Sequence, residues 1–306
     1  MTADSDTIKP TPKGNVKKKK KKAKPWYRSA VQIFFFALVA LITLNEALFE
    51  FYGKSIPYLA TASLHAICPF GGVVSIYEFV TAGKYTQKIH ASSFILMWAA
   101  FILAVGFGPL ICGWVCPLGS FQQWTAKIGK KFNGRKYNHL IPTRIDRPLR
   151  YTRYLVLGLV IYFTFSTTKL VFQDYDPYFA LFNFWSTEVA PTALIILGVT
   201  IVASAWVERP WCKYLCPYGA LLGLFNFFRI FRIRREESTC IDCKLCDRNC
   251  PMNITISTAT AIRDHQCISC MNCTSEQFCP VANTVDFTTQ RGSIIPPADI
   301  DVKEEV

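Results

Sequence analysis

Eight cysteines towards the C-terminal end are spaced for one kind of chemistry: Cys240-x2-Cys243-x2-Cys246-x3-Cys250-Pro251, then Cys267-x2-Cys270-x2-Cys273-x5-Cys279-Pro280. A cubane iron–sulfur cluster needs four thiolates around a compact core. Three cysteines at i, i+3 and i+6 wrap three irons from one loop, and in paired runs the fourth cysteine of each ligates the other cluster. The spacing therefore assigns Cys240, Cys243, Cys246 and Cys279 to one [4Fe–4S] cluster and Cys267, Cys270, Cys273 and Cys250 to a second. The x5 gap from Thr274 to Phe278 departs from x3 and implies a loop insertion before Cys279. A zinc ribbon would use two CxxC pairs, and a disulfide framework would need an oxidising compartment. The chemistry implied is one-electron transfer.

Four further cysteines stand in two copies of one motif, Cys112-Gly-Trp-Val-Cys116-Pro117-Leu-Gly119 and Cys212-Lys-Tyr-Leu-Cys216-Pro217-Tyr-Gly219. Cysteines at i and i+4 of a helix share a face. Cys112, Cys116, Cys212 and Cys216 are thus candidates for a further metal or cluster, ligand softness permitting either, or for a redox dithiol or quinone contact; packing is the plain alternative. Cys68 is the thirteenth cysteine, in Leu64-His65-Ala66-Ile67-Cys68-Pro69-Phe70-Gly71-Gly72. His65 and His90 are weak candidates for taking a proton from a quinol, each with a surface histidine as the plainer reading. Glu46, an acid in an apolar run, is a third weak candidate for a quinone site.

These groups must be positioned by an apolar scaffold. The chain of 306 residues is 51% hydrophobic, has 24 Phe and carries a formal charge of +13. The charge sits in blocks beside apolar runs, which favours anionic lipid and topology control over nucleic acid. Apolar stretches run over 26–51, 90–111, 151–168 and 189–206, and are expected to be four transmembrane helices. The Lys17–Lys22 run, the nine Lys and Arg between Lys127 and Arg153, and the basic residues from Arg209 to Arg235 flank alternate ends of these stretches. By the excess of Lys and Arg in cytoplasmic loops, both termini are expected to be cytoplasmic in a multi-pass protein of a prokaryotic cytoplasmic membrane. No cleavable signal peptide is expected. The repeated motif, with Cys68-Pro69-Phe70 and Asp176-Pro177-Tyr178 as loosely matching outer loops, implies a parallel internal repeat.

The expected organisation is a disordered basic cytoplasmic tail (1–25), a four-helix transmembrane domain with two C-x3-C-P repeats (26–220), a basic interfacial linker helix (221–236), an α+β bacterial-type 2[4Fe–4S] ferredoxin-like domain (237–288) and a tail (289–306). The segment Phe121–Ile128 is expected to lie in the headgroup interface as well.

Together the paired C-x3-C-P motifs (Cys112, Cys116, Cys212, Cys216), the four spans and the eight C-terminal cysteines resemble the NapH-like family, the membrane quinol dehydrogenase component of periplasmic nitrate reductase systems. They are also similar to the membrane and ferredoxin core of accessory proteins of nitrous-oxide and organohalide respiration, without the flavin-binding domain. The resemblance covers about residues 26–285. It implies electron transfer between the quinone pool and a partner redox protein, an iron–sulfur or multihaem subunit, through two [4Fe–4S] clusters, with quinone as substrate. The alternative is an accessory electron donor for maturation or activation of a respiratory metalloenzyme. No Gly-rich dinucleotide loop of the GxGxxG type is present, which argues against bound NAD or FAD, and no nucleic-acid partner is expected.

Overall fold

The computed structural model describes residues 26–52, 91–134, 137–167, 171–186, 189–281 and 284–289. The tail 1–25, the loop holding His65, Cys68 and His90, and the end of the chain lie outside the described residues.

Helix α1, Trp26–Tyr52, is 27 residues of almost unbroken apolar sequence. Among the described residues its stretch Trp26–Phe49 is the one helix long and apolar enough to cross a membrane. The other expected spans are shorter than the sequence suggests. Helix α2 is Ala91–Phe107 and stops at Gly108-Pro109. Pro109 has no N–H to donate and disfavours helical geometry in the residue before it; Gly108 accordingly takes φ +78°. The chain resumes as α3, Leu110–Trp114, breaks again, and continues as α4, Pro117–Asn133. After α5, Thr143–Leu149, and α6, Thr152–Thr167, a 3₁₀ turn at Val171–Tyr175 leads to α7, Pro177–Phe182. Helix α8, Pro191–Ala203, runs 13 residues, about 20 Å at 1.5 Å per residue. It is followed by α9, Pro210–Tyr214, and α10, Pro217–Leu224.

The breaks recur one hundred residues apart: α3 and α9 begin at 110 and 210, α4 and α10 at Pro117 and Pro217. This corrects the expectation that each cysteine pair shares one helical face. Cys112 and Cys212 sit in the short helices α3 and α9, while Cys116 and Cys216 are N-cap residues of α4 and α10. The proline after each second cysteine fixes this, because a residue before proline is pushed out of helical geometry and proline is favoured at the first helical position.

The expected linker helix over 221–236 is also corrected. Helix α10 ends at Leu224, Phe225–Phe227 is a 3₁₀ turn, and Arg232–Arg235 is a strand, β1. β1 pairs antiparallel with β2, Val285–Thr288, placing Ile233 opposite Phe287. Ile233 is the one buried residue of the strand, and it is the pairing with β2, fifty residues on, that overrides the helical reading. Between the two strands, among the described residues, the main regular element is α11, Leu245–Arg248. The segment 121–128 lies within α4, whose Gln122, Gln123 and Ala126 are buried while Ile128 and Phe132 face outward.

One buried core joins the two parts. Ala104, Cys112 and Leu222 of the helical part pack in the same cluster as Ile233, Met252, Ile254, Ile268 and Val285 of the cysteine unit. A second core sets α7 against α1, with Phe179, Ala180 and Phe182 around Val39 and Phe36. Phe36 also contacts Trp124 and Phe121 of α4 (ring centroids 5.0 and 6.4 Å). The segment expected to be an outer loop thus folds inward between helices.

Candidate metal centres

The two cysteine runs are built alike. In the first, Asp242 and Lys244 flank Cys243 with φ of 51° and 54°; in the second, Ser269 and Met271 flank Cys270 with φ of 47° and 56°. Left-handed backbone is costly for residues other than glycine. It recurs on both sides of the middle cysteine in each run, and left-handed residues of this kind occur in the backbone nests that receive anions and iron–sulfur groups.

Cys240, Cys243, Cys246 and Cys279 line one pocket, closed by Arg235, Ile241, Phe278 and Pro280. Cys250 lies instead within electrostatic reach of Cys267 and Cys270, and Cys273 within reach of Cys267, Cys270 and Cys250. Cys246, of the first run, also lies within reach of Cys273, so the two groups of thiols adjoin. The x5 insertion before Cys279 is taken up by turns, Cys279 and Phe278 both donating their N–H to the Ser275 carbonyl (2.9 Å).

The second set is the inner one: Cys250, Cys267 and Cys273 are buried, and both repeats grip it. Trp114 Nε1 donates to the Ser269 carbonyl (3.0 Å), and Asn226 Nδ2 to the Cys267 carbonyl (2.8 Å). Arg153 donates to the His265 carbonyl (2.8 Å), and Asn138 Nδ2 to the Pro251 carbonyl (3.2 Å). Gly113 leaves no room for a side chain, since a Cβ there would lie 2.4 Å from the Ile268 carbonyl oxygen.

Charge at this junction is unusual. Arg28, Arg153, Arg209 and Arg229 are all buried, at 4, 2, 0 and 1% exposure. None forms an ion pair with a described Asp or Glu. Arg229 Nη1 points at Cys267 Sγ (3.6 Å), and Arg28 lies within electrostatic reach of Cys270. An unpaired buried ion costs several kcal/mol. Thiolate-ligated clusters carry net negative charge, so these cations fit an iron–sulfur group here, in addition to the charge that Glu208 sets against Arg28. Sequence reasoning read the same residues as topology signals, and nothing in a basic run marks which members turn inward.

A conventional ion-pair network stands beside them. Buried Asp146 accepts from Lys213 Nζ (2.7 Å), from Tyr214 OH (2.6 Å) and from Arg150. Burial alone pushes this carboxyl up, but the hydrogen bonds from Lys213, Tyr214 and Arg150 outweigh it and hold it below its usual value.

The C-x3-C-P cysteines converge as well. Cys216 lies within electrostatic reach of Cys212, Cys112 and Cys116, and Cys112 within reach of Cys116 and Cys212. Gly219 N–H donates to Cys216 Sγ (3.3 Å) and Gln122 Nε2 to Cys212 Sγ (3.7 Å). Asp176, which caps α7 by accepting from Tyr178 N–H (3.0 Å), comes within reach of Cys116. Glu46 is part-buried on α1. It stands 18 residues from Arg28, which bonds the Gly113 carbonyl beside Cys112, a separation of about 27 Å along the helix.

Comparison with known proteins agrees with the repeat. A family model described as a 4Fe-4S binding domain matches twice, over residues 89–136 and 189–235. Both matches carry a C-x3-C-P motif and end before the eight C-terminal cysteines. The chain is 30% identical over 229 residues to the putative electron transport protein YccM of Escherichia coli, covering 73% of this chain and 63% of that protein. It is 30% identical over 218 residues to the uncharacterized protein MJ0750 of Methanocaldococcus jannaschii, covering 71% and 86%. The ferredoxin-type protein NapH of Haemophilus influenzae is 25% identical over 206 residues, 63% and 69% of the two chains. The match thus spans under two thirds of the E. coli relative's length. No solved structure matches significantly.

Proposed function

Since the chain belongs to the NapH-like family of ferredoxin-type electron-transport proteins, we propose that it is a membrane-bound electron-transfer subunit. In this reading it passes electrons between quinol or quinone and a partner redox protein through two [4Fe–4S] clusters. Cys240, Cys243, Cys246 and Cys279 hold one cluster, and Cys267, Cys270, Cys273 and Cys250 the other. The carrying observation is the set of four buried arginines without carboxylate partners around the inner cysteines. The clusters, when bound, supply reversible one-electron storage. The chain's own residues set the terms of that storage: Arg229 and the backbone nests stabilise negative charge, and Gly113, Trp114 and Arg28 hold the inner loop against the helical part. The half-exposed Cys240 and Cys243 put the outer cluster where a partner reaches it.

A lipid setting for the helical part is supported by its outward faces. Large apolar side chains stand exposed on α1 (Phe34, Leu41), α2 (Ile95, Ile102), α6 (Leu155, Ile161) and α8 (Ile195, Val199). Four helices carrying such faces favour a four-span embedding with the cysteine unit on the cytoplasmic side. The test is electron paramagnetic resonance on membranes containing the full chain. Two low-potential cluster signals, oxidised on adding a quinone analogue, are expected; membranes with neither signal nor response would overturn the reading.

A further inference from the structure

We propose that the crevice between the start of α1, Trp114 of α3 and the loop after Cys270 is the site where a quinone headgroup meets the inner cysteine set. This site presupposes that quinone is the electron partner, and it locates the exchange. The crevice holds about 290 Å³ of empty space and opens to solvent, small for a ligand site and suited to a single ring system. Two of its residues, Tyr27 and Trp114, lie with their rings nearly parallel, 17° apart and with centroids at 5.8 Å. Phe278 adds a third ring. A flat headgroup can extend such a stack, and stacked aromatic pairs gain more than their buried area alone. Polar groups for the ring oxygens are few and fixed. Arg28 is 4% exposed, and its Nη1 donates to Asn272 Oδ1 (2.8 Å), so a cation and an amide line the same crevice. A cation in place beforehand favours the negative charge that a quinone oxygen gains as electrons arrive.

Position favours this crevice over Glu46, which stands about 27 Å along α1 from Arg28. Cys270, assigned to the inner cluster, is one of the lining residues, so a ring bound here stands against a cluster ligand. Phe278 also lines the pocket of Cys240, Cys243, Cys246 and Cys279, which puts the outer set one side chain away. The crevice begins at the first turn of α1, the described helix long enough to cross a membrane, where Trp26 and Tyr27 are 78 and 52% exposed. Amphipathic rings collect at the membrane–water interface, a depth that a lipid-borne headgroup reaches. Oxidation of one quinol here breaks two O–H bonds. The two protons go to water at the open side, and the two electrons leave singly on the Cys270 side to reduce the partner redox protein. Quinone reduction runs the same path in reverse.

The experiment uses the full-length chain in membranes and a photoreactive azidobenzoquinone. Illumination is expected to label peptides that contain Tyr27 or residues 271–278, and an excess of the same quinone without the azide should suppress the label. Tyr27→Ala removes one ring of the stack. It should raise the quinone concentration for half-maximal cluster oxidation about threefold to tenfold, the worth of one aromatic pair. Tyr27→Phe should restore the parent value, with iron content and both cluster signals unchanged in each variant. Should Tyr27→Ala fail to fold, labelling of the unchanged chain decides alone. Two results would overturn the site and leave quinone exchange standing: label absent or confined to other segments in a parent chain that quinone still oxidises, or a Tyr27→Ala chain as responsive as the parent. A parent chain that quinone does not oxidise would overturn both.

Discussion

Arg229 is the residue through which protein charge meets cofactor most directly, donating toward Cys267 Sγ while fixed by Ser269 Oγ (3.0 Å) and the Ile262 carbonyl (2.6 Å). Net charge and hydrogen bonds to sulfur set cluster potential. Arg229→Met therefore lowers the midpoint potential of the inner cluster and leaves the outer one nearly unchanged, as a redox titration of the two resonance signals would reveal. Asp146 acts on stability. Asp146→Asn strands Lys213 and Arg150, and breaking such a buried pair costs about 3–5 kcal/mol, to be read from thermal unfolding of the detergent-solubilised chain. Because this carboxyl titrates below its usual 3.8 when folded, its contribution is present above that value and is lost as pH falls through the lower folded value. Melting temperature should accordingly be insensitive to this group from pH 7 to about 5 and drop in more acid buffer in the parent but not in the Asn variant. At this scale the sequence was readable where residue type dictates chemistry. The cysteine spacing alone proposes which thiols share a cluster, and Cys240, Cys243, Cys246 and Cys279 line one pocket. The burial of Arg209 or Asp146 was not readable, because an inward turn depends on partners far away in the chain, such as Lys213 for Asp146.

Among the elements, the short broken helices do the positioning. Gly113 in α3 and Gly108 before it are both places where a side chain would collide: a Cβ at Gly108 would meet Asn226 Oδ1 at 2.7 Å and would have to adopt φ +78°. Gly113→Ala pushes α3 off the Ile268 carbonyl, an overpacking of about 1–3 kcal/mol. Faster proteolysis within 232–289, with α1 still protected, is the expected signature. The repeat was legible from Cys-Pro spacing alone, but its helices were not. Hydropathy reads 90–111 as one span, and only the backbone rules for Gly108-Pro109 divide it. The strand Arg232–Arg235 was hidden in the same way, since four residues with a single apolar one, Ile233, carry too little pattern to outweigh the preceding helical run.

On the scale of the molecule, the helical part and the cysteine unit share one core and a buried surplus of positive charge. That surplus ties architecture to cofactor: anaerobic removal of iron with a chelator should loosen the junction, seen as rapid amide exchange at Ile268–Cys273 and around Arg153, and restoring iron and sulfide should reverse it. If exchange there did not change on iron removal, the arginines would have counter-charge from elsewhere. The pairing of β1 with β2 bears on how the protein is made. These strands lie fifty residues apart, from Arg235 to Val285, and the described residues between them are mostly turns and loops. During synthesis the helical part can form while the cysteine loops are still incomplete, and the sheet closes only once the last described strand has left the ribosome. At 5–20 residues per second, every nascent chain passes through an interval of seconds in which its cysteines are open to solvent. That interval is when delivery of iron and sulfur competes with oxidation, and a chain ending before Val285 would never leave it.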